Sequence, residues 1–268
     1  MELILKNIDQ IKEIKERLSN YRRNGWESLF RGQANSNWVL TTSLLRECGA
    51  QISEKQWNLY LEYFKEFKKI ASSSEYQLFR VPSQNEDFYY ASIARHLGMP
   101  SHFLDWTLSI EMAIEMACND LGNIDKDGTL WIMKFYKSEN LIKSENLQSI
   151  WKDTVLVCKD VDLIPPNNTT QSLPLARYRR YHQYGYFSII NYSDLNRSFI
   201  QLTNDRGILL DKIIIPKESK LSFLNTLKEL LPINFYGLDE DTLLCDSDIK
   251  LKQIIEEFKK ELKKSKPI

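Results

Sequence analysis

Arg31 stands at the end of a short apolar run, Leu29-Phe30, and is followed at once by Gly32-Gln33. A planar guanidinium grips a phosphate, carboxylate or ribose through two parallel hydrogen bonds, a geometry that a lysine does not match. Gly32 permits a backbone conformation or a close ligand approach that a Cβ would block, so the stretch reads as one wall of a small-molecule or nucleotide pocket. The competing use of Arg31 is structural, with a nearby carboxylate holding the arginine and fixing the fold. Further along, Arg95 and His96 precede a turn that leads to Asp105 and Thr107. That order can bring a cation, an imidazole and a carboxylate to one cleft, where proton donors and acceptors are tuned. Taken singly, His96 suits a core and Asp105 a helix cap.

A third stretch, 177–187, alternates cations with aromatics: Arg177, Arg179, Arg180 and His182 are interleaved with Tyr178, Tyr181, Tyr184 and Tyr186, and Gln183 sits among them. Surfaces that stack bases and neutralise phosphates have this composition. So do partly exposed helix edges whose cationic stems lie along apolar surface.

Several chemistries are disfavoured. The histidines are His96, His102 and His182, so a histidine metal site would need nearly all of them, and no metal is expected. HExxH, the P-loop glycine-lysine signature, GxSxG and GxGxxG are all missing. Cys48, Cys118, Cys158 and Cys245 form no CxxC pair, which speaks against a zinc ribbon or redox motif and fits a reduced cytoplasmic interior. Lys+Arg and Asp+Glu both number 36, so global charge gives no warrant for nucleic-acid or membrane binding. No apolar run approaches the length that crosses a bilayer, and no membrane partner is expected.

The elements that must carry these residues follow from periodicity. Ile4, Ile8, Ile11, Ile14 and Leu18 predict an amphipathic helix ended by Asn24-Gly25, and the strand bearing Arg31 comes next. The chain from Trp38 starts extended and turns helical near Ser43, where free backbone N–H groups could meet an anion. A helix from about Ser53 to Ala71 carries a stripe of Trp57, Tyr60, Leu61, Phe64 and Phe67, read as core. Another runs from Asp87 to Leu97, stopped by Gly98 and Pro100. Asp105 or Thr107 is placed to cap the small-residue helix through Ile110, Ala113, Ile114 and Ala117. Thr129–Tyr136 is the clearest strand, with shorter ones at Thr154–Cys158, Tyr186–Ile190 and Ile208–Ile215. Helices through Leu221–Leu231 and Ile249–Leu262 close the chain. The mixture of helices and strands without strict alternation predicts an α+β fold, one domain with a central, mostly antiparallel sheet flanked by helices.

The ordered blocks Phe30-Arg31-Gly32-Gln33, Thr42-Ser43-Leu44-Leu45-Arg46, Ile93 to Pro100, Leu104-Asp105-Trp106-Thr107 and Gln183-Tyr184-Gly185-Tyr186-Phe187 together resemble the FRG domain family, named for its Phe-Arg-Gly triplet. Leu243-Leu244-Cys245-Asp246 looks like a degraded form of that family's closing segment. The resemblance implies three parts: an N-terminal helix at 1–24, an FRG-like domain at 25–192, and a C-terminal strand and helices at 193–268 packed on the same domain.

The family is often met in bacterial defence or toxin-like loci, and its Arg-Gly on an early strand is similar to the strand of ADP-ribosyltransferases whose arginine holds NAD. By that analogy Arg31 grips NAD as substrate, with Gly32, Gln33, Thr42, Ser43 and Arg95 lining its pocket, and Arg31, His96, Asp105 and Gln183 form the catalytic set. Those enzymes place a glutamate late on a strand, whereas the Gln183 block has none, so Gln183 or Asp105 would take its place. Arg177, Arg179, Arg180 and His182 would meet an acidic acceptor, a nucleic acid or protein, and an antitoxin or neighbouring regulatory protein would be a further partner. The resemblance thus implies a toxin or antiphage effector that transfers ADP-ribose. The alternative is a non-catalytic nucleotide- or nucleic-acid-binding module.

Overall fold

The structure, a computed structural model, describes residues 3–49, 51–73, 86–143, 149–159, 186–230 and 246–266. In chain order the elements are β1 (Leu3–Ile4), α1 (Asp9–Arg23), β2 (Trp26–Gln33), α2 (Ser43–Cys48), α3 (Glu54–Ser72), α4 (Glu86–His96), β3 (Phe103–Trp106), α5 (Ile110–Cys118), β4 (Gly128–Tyr136), α6 (Lys137–Asn140) and β5 (Leu141–Lys143). They continue with β6 (Val155–Lys159), β7 (Tyr186–Ile189), α7 (Phe199–Asn204), β8 (Leu209–Ile215), α8 (Lys217–Leu230) and α9 (Asp246–Lys264).

The α+β class and the dominance of antiparallel pairing are found, but the strands form two four-stranded sheets rather than one central sheet. One runs β1-β8-β4-β2 and the other β3-β7-β6-β5. Among the described residues they meet edge to edge at one antiparallel bridge, where Phe30 N–H donates to Thr107 O at 2.8 Å and Thr107 N–H donates to Phe30 O at 2.9 Å.

Alternation along β4 explains how the first sheet is buried on both faces. Leu130 and Ile132 join a cluster with Phe30 of β2, Ile11 and Ile14 of α1, Ala113 and Ala117 of α5 and Phe223 of α8. Trp131, Met133 and Phe135 face the other way, into a larger cluster with Leu29, the aromatic stripe of α3 and Phe258 of α9. Gln33 and Trp131 close this face with a 2.6 Å hydrogen bond from the indole Nε1 to the amide oxygen.

The α3 stripe is core, as its spacing predicts. Its start is sealed by a capping box in which Ser53 Oγ accepts from Gln56 N–H and the Gln56 side chain accepts from Ser53 N–H. Two local expectations are corrected. Ile4 is not helical: it pairs with Ile214 in a parallel strand, and the Gln10 side chain accepts from Lys6 N–H before α1 begins. The cap of α5 is neither Asp105 nor Thr107 but Ser109, whose hydroxyl accepts from Met112 N–H at 3.1 Å. Asp105 instead lies in β3, held extended by pairing with Phe187. No helix among the described residues is long and apolar enough to cross a membrane.

His102, just ahead of β3, is fully buried among Trp57, Tyr60, Phe103 and Trp151. Its Nε2 lies 3.2 Å from Ile150 O, which can only accept, so Nε2 carries the proton and Nδ1 accepts from the Tyr60 hydroxyl at 3.0 Å. Burial pushes its pKa down to about 3. An unfolded histidine titrates near 6.5, so acid favours the unfolded chain below that value. The stability contributed by neutral His102 is complete above about pH 6.5 and is lost as pH falls toward 3, with about 2 kcal/mol gone by pH 5. Thermal melts at pH 7 and pH 5 check this: His102→Gln should melt lower at pH 7 but lose less on acidification than the parent chain.

Candidate functional site

In an antiparallel pair the hydrogen-bonded partners recur every second residue, so a ladder continuing from Phe30–Thr107 would next join Gly32 to Asp105. It does not continue. The Asp105 carbonyl accepts instead from Arg31 Nη1 at 2.8 Å, and the guanidinium stands as a wedge where the two sheets part. Gly32 is what lets β2 reach this point: an added Cβ would lie 1.9 Å from Ala113 O and 2.7 Å from Ala117 N of α5. The close approach expected for a ligand at Gly32 is therefore taken by the α5 backbone, since the face of β2 that carries Phe30 and Gly32 packs on α5 and Arg31 projects from the opposite one.

Around the wedge the side chains form one network. Arg95, from the last turn of α4, holds both oxygens of the Asp105 carboxylate, Nε to Oδ1 at 2.5 Å and Nη2 to Oδ2. Its remaining Nη1 donates to Ser43 Oγ at 3.1 Å, and the same hydroxyl accepts from Ser101 N–H at 3.0 Å. Arg31 Nη1 stands 3.7 Å from Asp105 Oδ2. The side chains of Arg31 and Arg95 are 13% exposed and that of Asp105 is 35% exposed, so the cluster is roofed by the carboxylate and open to solvent there.

Charge at the seam is uneven. Burial is the main reason that the Arg31 pKa drops to about 10. Asp105 opposes the drop, while Arg95 and Arg46 add to it. Arg31 Nε is buried without a hydrogen-bond partner among the described residues. Arg46 joins the cluster from nearly one helical turn beyond Ser43, a spacing that is the one sequence signal for its place there.

The expected site residues thus divide. Arg31, Ser43, Arg95 and Asp105 come together. Thr42 does not line the site but caps α2, its hydroxyl accepting from Leu45 N–H at 3.3 Å. Gln33 is turned into the core by Trp131 and by its own 3.4 Å contact to Val39 O. The side chain of His96 lies outside what is described, as do Arg177, Arg179, Arg180, His182 and Gln183. Two grooves of about 440 and 460 Å³ flank α1, and none of Arg31, Ser43, Arg46, Arg95 and Asp105 lines either of them. The described cysteines, Cys48, Cys118 and Cys158, are buried, and burial raises the Cys48 thiol to about 11 and the Cys118 thiol to about 12, which makes those two poor nucleophiles.

No curated protein and no solved structure matches the chain. Residues 26–125, the stretch that supplies Arg31, Ser43, Arg46, Arg95 and Asp105, match the family model of the FRG domain.

Proposed function

We propose that the chain binds a nucleotide at the seam between its two sheets, with the phosphates meeting Arg31, Arg46 and Arg95, and that NAD is that nucleotide. The observation that carries this reading is the Arg31 guanidinium, held in the wedge with a buried Nε that has no partner among the described residues and more positive than negative charge around it. An arginine in that position gains from an incoming anion, which relieves repulsion among the cations.

The catalytic form of the proposal is transfer of ADP-ribose to a nucleic acid or protein acceptor by a bacterial toxin or antiphage effector, a form that rests on the similarity of Arg31-Gly32 to the NAD-holding strand of ADP-ribosyltransferases. In that reaction the bond from ribose to nicotinamide breaks, nicotinamide leaves with the bonding electrons, and the acceptor nucleophile bonds to the ribose carbon and releases its proton. Positive charge develops on the ribose, which calls for a carboxylate or amide at its hydroxyls. Asp105 has both oxygens engaged by Arg95, and this favours the second reading, a binding module without turnover.

One experiment separates them. The purified chain and its Arg31→Lys variant, which keeps the charge and loses the fork, are titrated with NAD and then incubated with labelled NAD and RNA, DNA or cell lysate. Binding that weakens about tenfold or more in the variant is expected for either reading. Label on an acceptor together with released nicotinamide assigns the enzyme, and binding without either assigns the module. Equal affinity in the two proteins, or none in the wild type, overturns both.

A further inference from the structure

A groove beside α1 carries a separate chemistry. It lies between α1, the first half of β2 and the start of α5, with a volume of about 440 Å³, which falls in the range of small-ligand sites. Its walls are apolar, chiefly Leu18, Trp26, Phe30, Leu108 and Ile110. The Trp26 indole is set on edge between two rings, 6.2 Å from Tyr21 and 5.2 Å from Tyr136, so its orientation does not depend on a ligand.

The charges in this groove are sorted by depth. The carboxylates are inside, with Glu27 only 18% exposed and Glu111 22% exposed, while the cations that answer them reach in from the rim, Lys15 at 52% and Arg22 at 75%. Glu27 is held loosely, 3.8 Å from Arg22 Nε and 3.3 Å from Lys137 Nζ. Pairs this exposed and this long contribute little and are readily exchanged for a better partner. The backbone adds to the site. Phe30 spends both its hydrogen-bonding groups on Thr107, so by strand alternation the Ser28 carbonyl and amide also point away from β4, where no described strand pairs with them.

We infer that this groove is a binding site for an organic cation on an apolar stem, a guanidinium or alkylammonium group whose charge meets Glu27 and Glu111 while its stem lies against Trp26, Leu108 and Phe30. Charge complementarity selects that occupant: the buried groups are carboxylates, the Ser28 carbonyl is a further acceptor, and an aromatic face beside them attracts a cation. The chain's own Lys15, an ammonium on a four-carbon stem lying against Glu111, displays the chemistry that the groove accepts. The ligand is either a free amine or guanidine, or the lysine or arginine side chain of another polypeptide. None of Arg31, Ser43, Arg46, Arg95 and Asp105 lines the groove, so the inference stands apart from the nucleotide proposal.

Calorimetric titration of the full chain tests it with two probes, butylguanidinium and an acetylated, amidated Gly-Arg-Gly peptide. Glu27→Gln removes the charge and keeps the shape, and should weaken binding about tenfold. Lys15→Met removes the internal competitor for Glu111 and should tighten it. Binding of butylguanidinium alone identifies a small-molecule site, and binding of the peptide, with or without the free cation, identifies a side-chain site. Absence of binding by both probes, or an affinity unchanged in Glu27→Gln, overturns the inference, and Arg31→Lys should leave both affinities as they are in the wild type.

Discussion

Gly32→Ala should destabilise the chain by about 3 kcal/mol or more, a large effect for one added methyl group. The atoms in the way are backbone, Ala113 O and Ala117 N of α5, at 1.9 and 2.7 Å from the new Cβ. No side-chain rotation relieves the contact, so α5 must lift from β2 or β2 must bend. Ala113 and Ala117 are themselves fully buried, and their small size is what lets the helix lie so close. Ala113→Gly should not rescue the variant, because the clash is with the carbonyl that every residue has. A chemical denaturation series on the three proteins checks this, and a Gly32→Ala chain with the wild-type midpoint would refute the packing account of this glycine. The result also bears on function: loss of nucleotide binding in Gly32→Ala would report a displaced β2 and not a ligand contact.

The second large effect is expected at Asp105. Asp105→Ala leaves Arg31 and Arg95, both mostly buried, without the carboxylate that separates them, while the backbone carbonyl that receives Arg31 remains. Breaking a buried pair by removing one partner costs about 3–5 kcal/mol, and the partial exposure of Asp105 lowers the expected loss to about 2–3 kcal/mol. Added inorganic phosphate should then stabilise Asp105→Ala more than the wild type, because the anion takes the seat that the carboxylate vacates. Melting curves with and without phosphate, at matched ionic strength with chloride as the control, read this out. Absence of any stabilisation of Asp105→Ala by phosphate beyond the chloride control would show that Arg31 and Arg95 hold no anion and would weaken the nucleotide proposal with it.

Much of the scaffold follows from the chain alone. The aromatic stripe of α3, the Gly98 stop after α4 at φ +93° and the run of β4 are local patterns, set by rotation per residue and by which residues tolerate a turn. Ser53 and Gln56 seal a helix start through contacts only three residues apart, so spacing suffices to predict it. The meeting of Arg31, Ser43 and Arg95 with Asp105 was foreseeable only as ordered motifs. Arg31 and Asp105 are 74 residues apart, and nothing local says that their strands meet at one bridge and then part.

The tertiary structure decided the uses of individual residues. Gly32 serves a helix and not a ligand because β2 has two faces and α5 occupies one of them. Thr42 and Gln33 leave the candidate site because a cap and a core hydrogen bond claim them. Ile4 leaves the helical pattern because the edge of β8 offers its backbone a partner. Hydrophobic period and turn chemistry are properties of neighbouring residues, and they specify which elements form. Whether an arginine is a strut or a ligand grip depends on charges and backbone groups brought from far along the chain, and only the packed sheets put those groups in place.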